Sequence, residues 1–84
     1  MMIDASEIER RITEALPGAK VEVSDMTGTR DHYDVTVVSD AFEGVLPVQR
    51  HRMVYAPLKD VMGDGALHAL KLTTISASEA DSRA

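Results

Sequence analysis

Between residues 19 and 39 the apolar side chains return at every second position. Val21 and Val23 alternate with Glu22 and Ser24, then Tyr33, Val35 and Val37 alternate with Asp34 and Thr36. This period turns one face of two strands inward and the other to water, so the chain must supply a second layer to cover the apolar face. The intervening Thr27-Gly28-Thr29-Arg30-Asp31 is polar and contains a glycine. It predicts a hairpin with strands over 19–26 and 32–39.

The covering layer is predicted on both sides of this hairpin. Ile8, Ile12, Ala15 and Leu16 recur at helical spacing behind Asp4-Ala5-Ser6-Glu7, a capping-box pattern, and Pro17-Gly18 stops the run. A first helix is expected over 4–16. A second is expected over 47–62, with Pro47 suited to its first turn. On a wheel of about 100° per residue, His51, Val54, Tyr55, Leu58, Val61 and Met62 share one face, with Val48 at its margin. Pro57 lacks a backbone donor and crowds the preceding turn, so this helix should kink or break in two. After Gly63-Asp64-Gly65, the alternation of His68, Leu70 and Leu72 with Ala69, Lys71 and Thr73 predicts a third strand.

The expected fold is therefore α+β: an α-β-β-α-β two-layer sandwich with a mixed three-stranded sheet and its helices on one face. The hairpin pairs antiparallel, whereas a strand reached through a helical crossover can pair parallel. A chain of 84 residues makes one domain, predicted over 1–76, and the Ser-, Ala- and acid-rich 77–84 is expected to be a disordered tail. With one Phe and no Trp, the core rests on aliphatic side chains and leaves little volume for a deep active site.

Charge and residue types narrow the function. The net charge of -5 opposes general attraction to nucleic acid or anionic lipid. Arg50 with Arg52 forms a local basic cluster, while acids dilute Arg10 and Arg11. No apolar run approaches the roughly 18 residues a membrane span needs, and the N-terminus lacks a basic stretch followed by an apolar one. A cytoplasmic protein without membrane association is expected. There is no Cys, so disulfides and thiolate nucleophiles are excluded. With no phosphate-binding loop and no His-Glu-x-x-His pattern, nothing in the residues specifies an enzyme. Glu7, Glu9 and Glu14 read as solvated surface.

Three histidines remain as groups able to bind a transition metal or titrate near neutral pH. His51 lies among apolar neighbours on the second helix, which suits packing more than ligation. His68 opens the third strand after a glycine-containing turn, a place for either an ordinary strand-end residue or an oriented ligand. His32 opens the second strand beside a polar loop and reads as solvated. If the two strand starts meet, His32 and His68 can address one ligand.

Three segments, Val37-Val38-Ser39-Asp40-Ala41-Phe42-Glu43-Gly44, Val48-Gln49-Arg50-His51-Arg52-Met53-Val54-Tyr55 and Leu67-His68-Ala69-Leu70, together resemble the BolA family in motif, order and spacing. The resemblance covers about residues 5–75. It implies a core similar to class II KH domains and a non-enzymatic adaptor. Such proteins pair with monothiol, CGFS-type glutaredoxins and share a bridging [2Fe-2S] cluster, for which the histidine matching His68 is a ligand. Iron–sulfur clusters usually take thiolates, with imidazole replacing some of them, so a chain without Cys needs a partner and a thiol such as glutathione to supply the sulfur. No cofactor is expected in the isolated chain, as a monomer or weak homodimer. Some relatives carry a second His or Cys ligand in the loop joining the first two strands. Thr27 to Asp31 holds neither, and His32 is the nearest candidate.

The expected role is therefore iron–sulfur trafficking or iron homeostasis, with His68 as the principal cluster ligand the resemblance implies, His32 as the candidate second ligand, and Arg50, Arg52 and Lys71 expected to face the glutaredoxin. The family is also described as DNA-binding transcription regulators. That alternative would use Arg50, Arg52, Lys59 and Lys71 on the KH-like surface, against the net charge and without the Gly-x-x-Gly clamp of KH domains.

Overall fold

The structure is a computed structural model that describes residues 4–25, 32–63 and 69–83. The segment 26–31, 64–68 including His68, and the loop Thr27–Asp31 considered above lie outside them. Helix α1 spans Ala5–Ala15 and buries Ile8, Ile12 and the following Leu16, one residue per turn along one stripe. Its start differs from the capping-box reading. Asp4 has the extended backbone of an N-cap, yet its side chain makes no cap hydrogen bond. Glu7 is drawn instead to Arg10 Nε at 3.0 Å and Arg11 Nε at 2.8 Å, because guanidinium groups one turn away outcompete a backbone N–H for a carboxylate. Arg10 first and Arg11 second hold the Glu7 carboxyl at about 2. Arg11 also reaches Asp60 Oδ1 at 2.6 Å, tying α1 to the second helical segment.

Gly18, with φ +84°, turns the chain into the sheet. Strands β1 (Lys20–Asp25) and β2 (His32–Ser39) pair antiparallel, with Lys20 opposite Val38 and Asp25 opposite Tyr33. Tyr33, Val35, Val37 and Ser39 point inward from β2 and are buried. The Ser39 hydroxyl accepts the Ala41 N–H at 3.1 Å and starts a 3-10 turn, Asp40–Phe42, which drives the Phe42 ring wholly into the core. Helix α2 (Pro47–Tyr55) begins with proline as expected and gives way at Pro57 to a 3-10 turn, Ala56–Leu58, and then to α3 (Lys59–Gly63). Val54, Leu58 and Val61 close the core against α1 and β2. Met62 and Val48 do not join them; both are exposed.

Strand β3 (Ala69–Ser76) runs parallel to β2, giving a mixed sheet in the order β1-β2-β3. The fold is the expected α+β arrangement.

The tail is not a disordered extension of it: Ala77–Arg83 forms α4. The true capping box of the chain is here. The Ser76 hydroxyl accepts the Glu79 N–H at 3.3 Å and the Glu79 carboxylate accepts the Ser76 N–H at 2.8 Å. Two long-range anchors hold the helix down, Glu79 to Arg50 Nη1 at 2.5 Å and Glu43 to the Ser78 N–H at 2.8 Å and hydroxyl at 3.0 Å.

This docking carries a pH signature. The Ser76 N–H first, and then Arg50, hold the Glu79 carboxyl at about 2, below its ordinary 4.5. A depressed folded-state value stabilises fully above the unfolded value and is lost as pH falls, so the anchor weakens between about 4.5 and 2. The Glu43 carboxyl, lowered by the Ser78 N–H and hydroxyl, acts in the same direction. Hydrogen-exchange protection of α4 relative to β2 should fall over that range. Glu79→Gln should lower it already near neutral pH and flatten the acid response. An unchanged ratio in wild type would show that these carboxylates do not hold the helix.

Candidate functional site

The inward alternation of β2 fixes the other face of the sheet. Tyr33, Val35, Val37 and Ser39 face the helices, so His32, Asp34, Thr36 and Val38 face away from them. His32 is half-buried at the start of the central strand. Its register partner across the parallel pair is Ala69, and the next outward pair is Asp34 with Lys71. His68 is the residue bonded to Ala69; its own placement lies outside the described residues. The start of β2 and the start of β3 therefore share one end of the sheet, as the condition for a joint His32–His68 role requires.

His51 belongs to the helix layer. It is half-buried, with its ring edge-on to Tyr55 at a centroid distance of 6.3 Å and an interplanar angle of 73°. That favours packing over ligation. Among the described residues, no three His, Cys, Asp or Glu side chains are grouped so as to hold a metal ion.

The cationic residues divide. Arg50 is committed within the chain: its Nε donates to the Val45 carbonyl at 2.7 Å, its Nη1 to Glu79, and its guanidinium lies 5.8 Å from the centre of the Phe42 ring. Its side chain is only 12% exposed, so little of it is presented to a partner or to DNA. A guanidinium with a carbonyl, a carboxylate and an aromatic face already satisfied gains little by leaving them. Arg52, Lys59 and Lys71 are exposed. Arg52 and Lys59 line a shallow groove on the helices with Tyr55, Ala56 and Met62. Lys71 lies on the outer sheet face, near the end that carries His32. The groove escaped the sequence reading because Tyr55 and Met62 fit the apolar side of a helical wheel.

The chain resembles known proteins over nearly its whole length. Residues 12–79 match the family model described as BolA-like protein. Protein BOLA2 of Arabidopsis thaliana is 36% identical over 72 residues, covering 84% of this chain and 75% of that protein. BolA-like protein 1 of Homo sapiens is 38% identical over 72 residues, covering 77% of this chain and 52% of the human protein. The solved structure of BolA1 from Arabidopsis thaliana superimposes with a TM-score of 0.82 at 30% identity, covering 94% of this chain and 98% of that one. No helix of the described residues is long and apolar enough to cross a membrane. With the motifs, the sheet order and the matched span in agreement, the chain belongs to the BolA-like family.

Proposed function

We propose that this protein is a non-catalytic adaptor that pairs with a monothiol glutaredoxin and contributes imidazole ligation to a [2Fe-2S] cluster shared between them, in iron–sulfur trafficking or iron homeostasis. The observation that carries the proposal is the parallel register of His32 with Ala69. A residue bonded to Ala69 is one Cα step of about 3.8 Å from it, and neighbouring strands lie about 4.8 Å apart, so the chain at His68 is tethered to the sheet end where His32 opens its strand.

The donor chemistry fits a share in such a cluster and not sole ownership. The chain has no Cys, and its described residues gather no three-ligand group. Thiolates must come from the glutaredoxin and from glutathione. When bound, the cluster would supply redox and transfer chemistry; this chain's part is to present nitrogen donors and, through exposed Lys71, a charge to orient the partner. Net charge -5 and the internal engagement of Arg50 favour a protein partner over a DNA duplex.

Mixing the protein with a cluster-loaded monothiol glutaredoxin tests this. A one-to-one heterodimer by native mass spectrometry and a changed visible circular dichroism spectrum are expected. Glutaredoxin that keeps its own spectrum and elutes separately would refute the proposal. Heterodimer without spectral change would leave the pairing and remove the ligation.

A further inference from the structure

The helix layer carries a second stripe that the core does not use. Val48, Arg52, Tyr55, Lys59 and Met62 follow one another at alternating steps of four and three residues through α2, the 3-10 turn and α3. That spacing keeps them on one side of the helical segment. Arg52, Tyr55, Ala56, Lys59 and Met62 line an apolar groove of about 390 Å³. Val48 is 64% exposed at the head of the stripe, where the wheel placed it at the edge of the core.

Charge identifies what fits there. Neither Arg52 nor Lys59 forms an ion pair with a described residue. Among the described residues no carboxylate lines the groove, and the nearby Asp60 is taken by Arg11 at 2.6 Å. An otherwise acidic chain thus presents two available cations around an apolar floor, with their aliphatic stems extending that floor. Two cations neutralise too few phosphates to hold a duplex, and an apolar floor has no use for a phosphate backbone. A helix with an apolar stripe flanked by carboxylates satisfies both features.

We infer that this groove is a docking site for an acidic amphipathic helix of a partner protein. The helix's apolar side chains seat on Tyr55, Ala56 and Met62, and its carboxylates meet Arg52 and Lys59. The groove lies on the helices, whereas His32 faces away from them. An adaptor of this shape can hold one protein at the sheet end and another on its helices. The inference goes beyond the cluster reading, and its test uses neither glutaredoxin nor cluster.

The test is an NMR titration of the isotope-labelled chain with three probes: a helix-forming peptide with a Leu stripe flanked by Glu, the same peptide with Lys for Glu, and a short DNA duplex. The Glu peptide should shift the amides of Arg52, Tyr55, Ala56, Lys59 and Met62. The Lys peptide should bind about tenfold more weakly, the difference two partly desolvated ion pairs supply. Arg52→Glu combined with Lys59→Glu should reverse that preference, with unmoved β2 amides showing that the fold is kept. Ala56→Arg, which fills the groove floor, should weaken both peptides. Equal affinity for the two peptides, shifts confined to another surface, or a duplex that moves the same amides more strongly would overturn the inference. So would concentration-dependent shifts of these amides with no peptide present, which would make the occupant a second copy of the chain.

Discussion

Phe42→Ala should remove most of the protein's folding stability. Phe42 is the single Phe of the chain, it is wholly buried, and its ring lies under the Arg50 guanidinium at 5.8 Å. Truncating a buried Phe costs about 3–5 kcal/mol, through lost transfer energy and the cavity left behind. A domain's whole stability is about 5–15 kcal/mol, and a small one sits at the low end. The substitution also removes the aromatic face on which Arg50 rests, loosening the link from Arg50 to Glu79 and so to α4. Urea denaturation followed by circular dichroism checks it. Phe42→Leu, which keeps most of the volume, should lose no more than about 1.5 kcal/mol. A loss below 1 kcal/mol for Phe42→Ala would mean that the ring does not build the core.

The parts of the fold legible in the sequence are those set by local pattern. The alternation Tyr33, Val35, Val37 marked the buried face of β2 because a strand's side chains must alternate, and Pro57 marked the break in the second helix because it removes a backbone donor. What stayed hidden rests on competition or on distance. Asp4-x-x-Glu7 has the spacing of a capping box, but Arg10 and Arg11 take the carboxylate. Ser76-x-x-Glu79 has the same spacing and does close the box, in a tail with no apolar stripe to announce a helix. Its helix depends on Arg50 and Glu43, which stand 29 and 35 residues away from their partners and leave no periodic trace. The same distant contacts turned Arg50 from a surface cation into an internal strut. Of the candidate site, the pairing of strand starts was foreseen only as a condition; the register of His32 with Ala69 required the fold.

His68→Ala should abolish the change in visible absorption and circular dichroism on mixing with cluster-loaded glutaredoxin. Removing even an outer-sphere partner of a metal ligand costs about 10–100-fold in affinity, and loss of the ligand itself should exceed that. His32→Ala should produce a smaller loss, since it sits one strand away and opposite Ala69. His51→Ala should leave the spectral change intact, because that imidazole packs edge-on to Tyr55 in the helix layer. Urea denaturation of each variant separates ligand loss from unfolding. A His68→Ala protein with the wild-type spectral response would remove the ligand assignment, whatever the outcome for the heterodimer.

The most direct measurement labels histidine with nitrogen-15 in this chain alone, forms the complex with unlabelled cluster-loaded glutaredoxin, reduces the cluster and records pulsed electron paramagnetic resonance. If an imidazole of this chain ligates the shared cluster, the strong nitrogen coupling must change from the nitrogen-14 to the nitrogen-15 pattern on labelling, and the labelled signal must vanish in His68→Ala. Identical spectra from labelled and unlabelled chains would contradict the account, since every ligand of the cluster would then come from elsewhere.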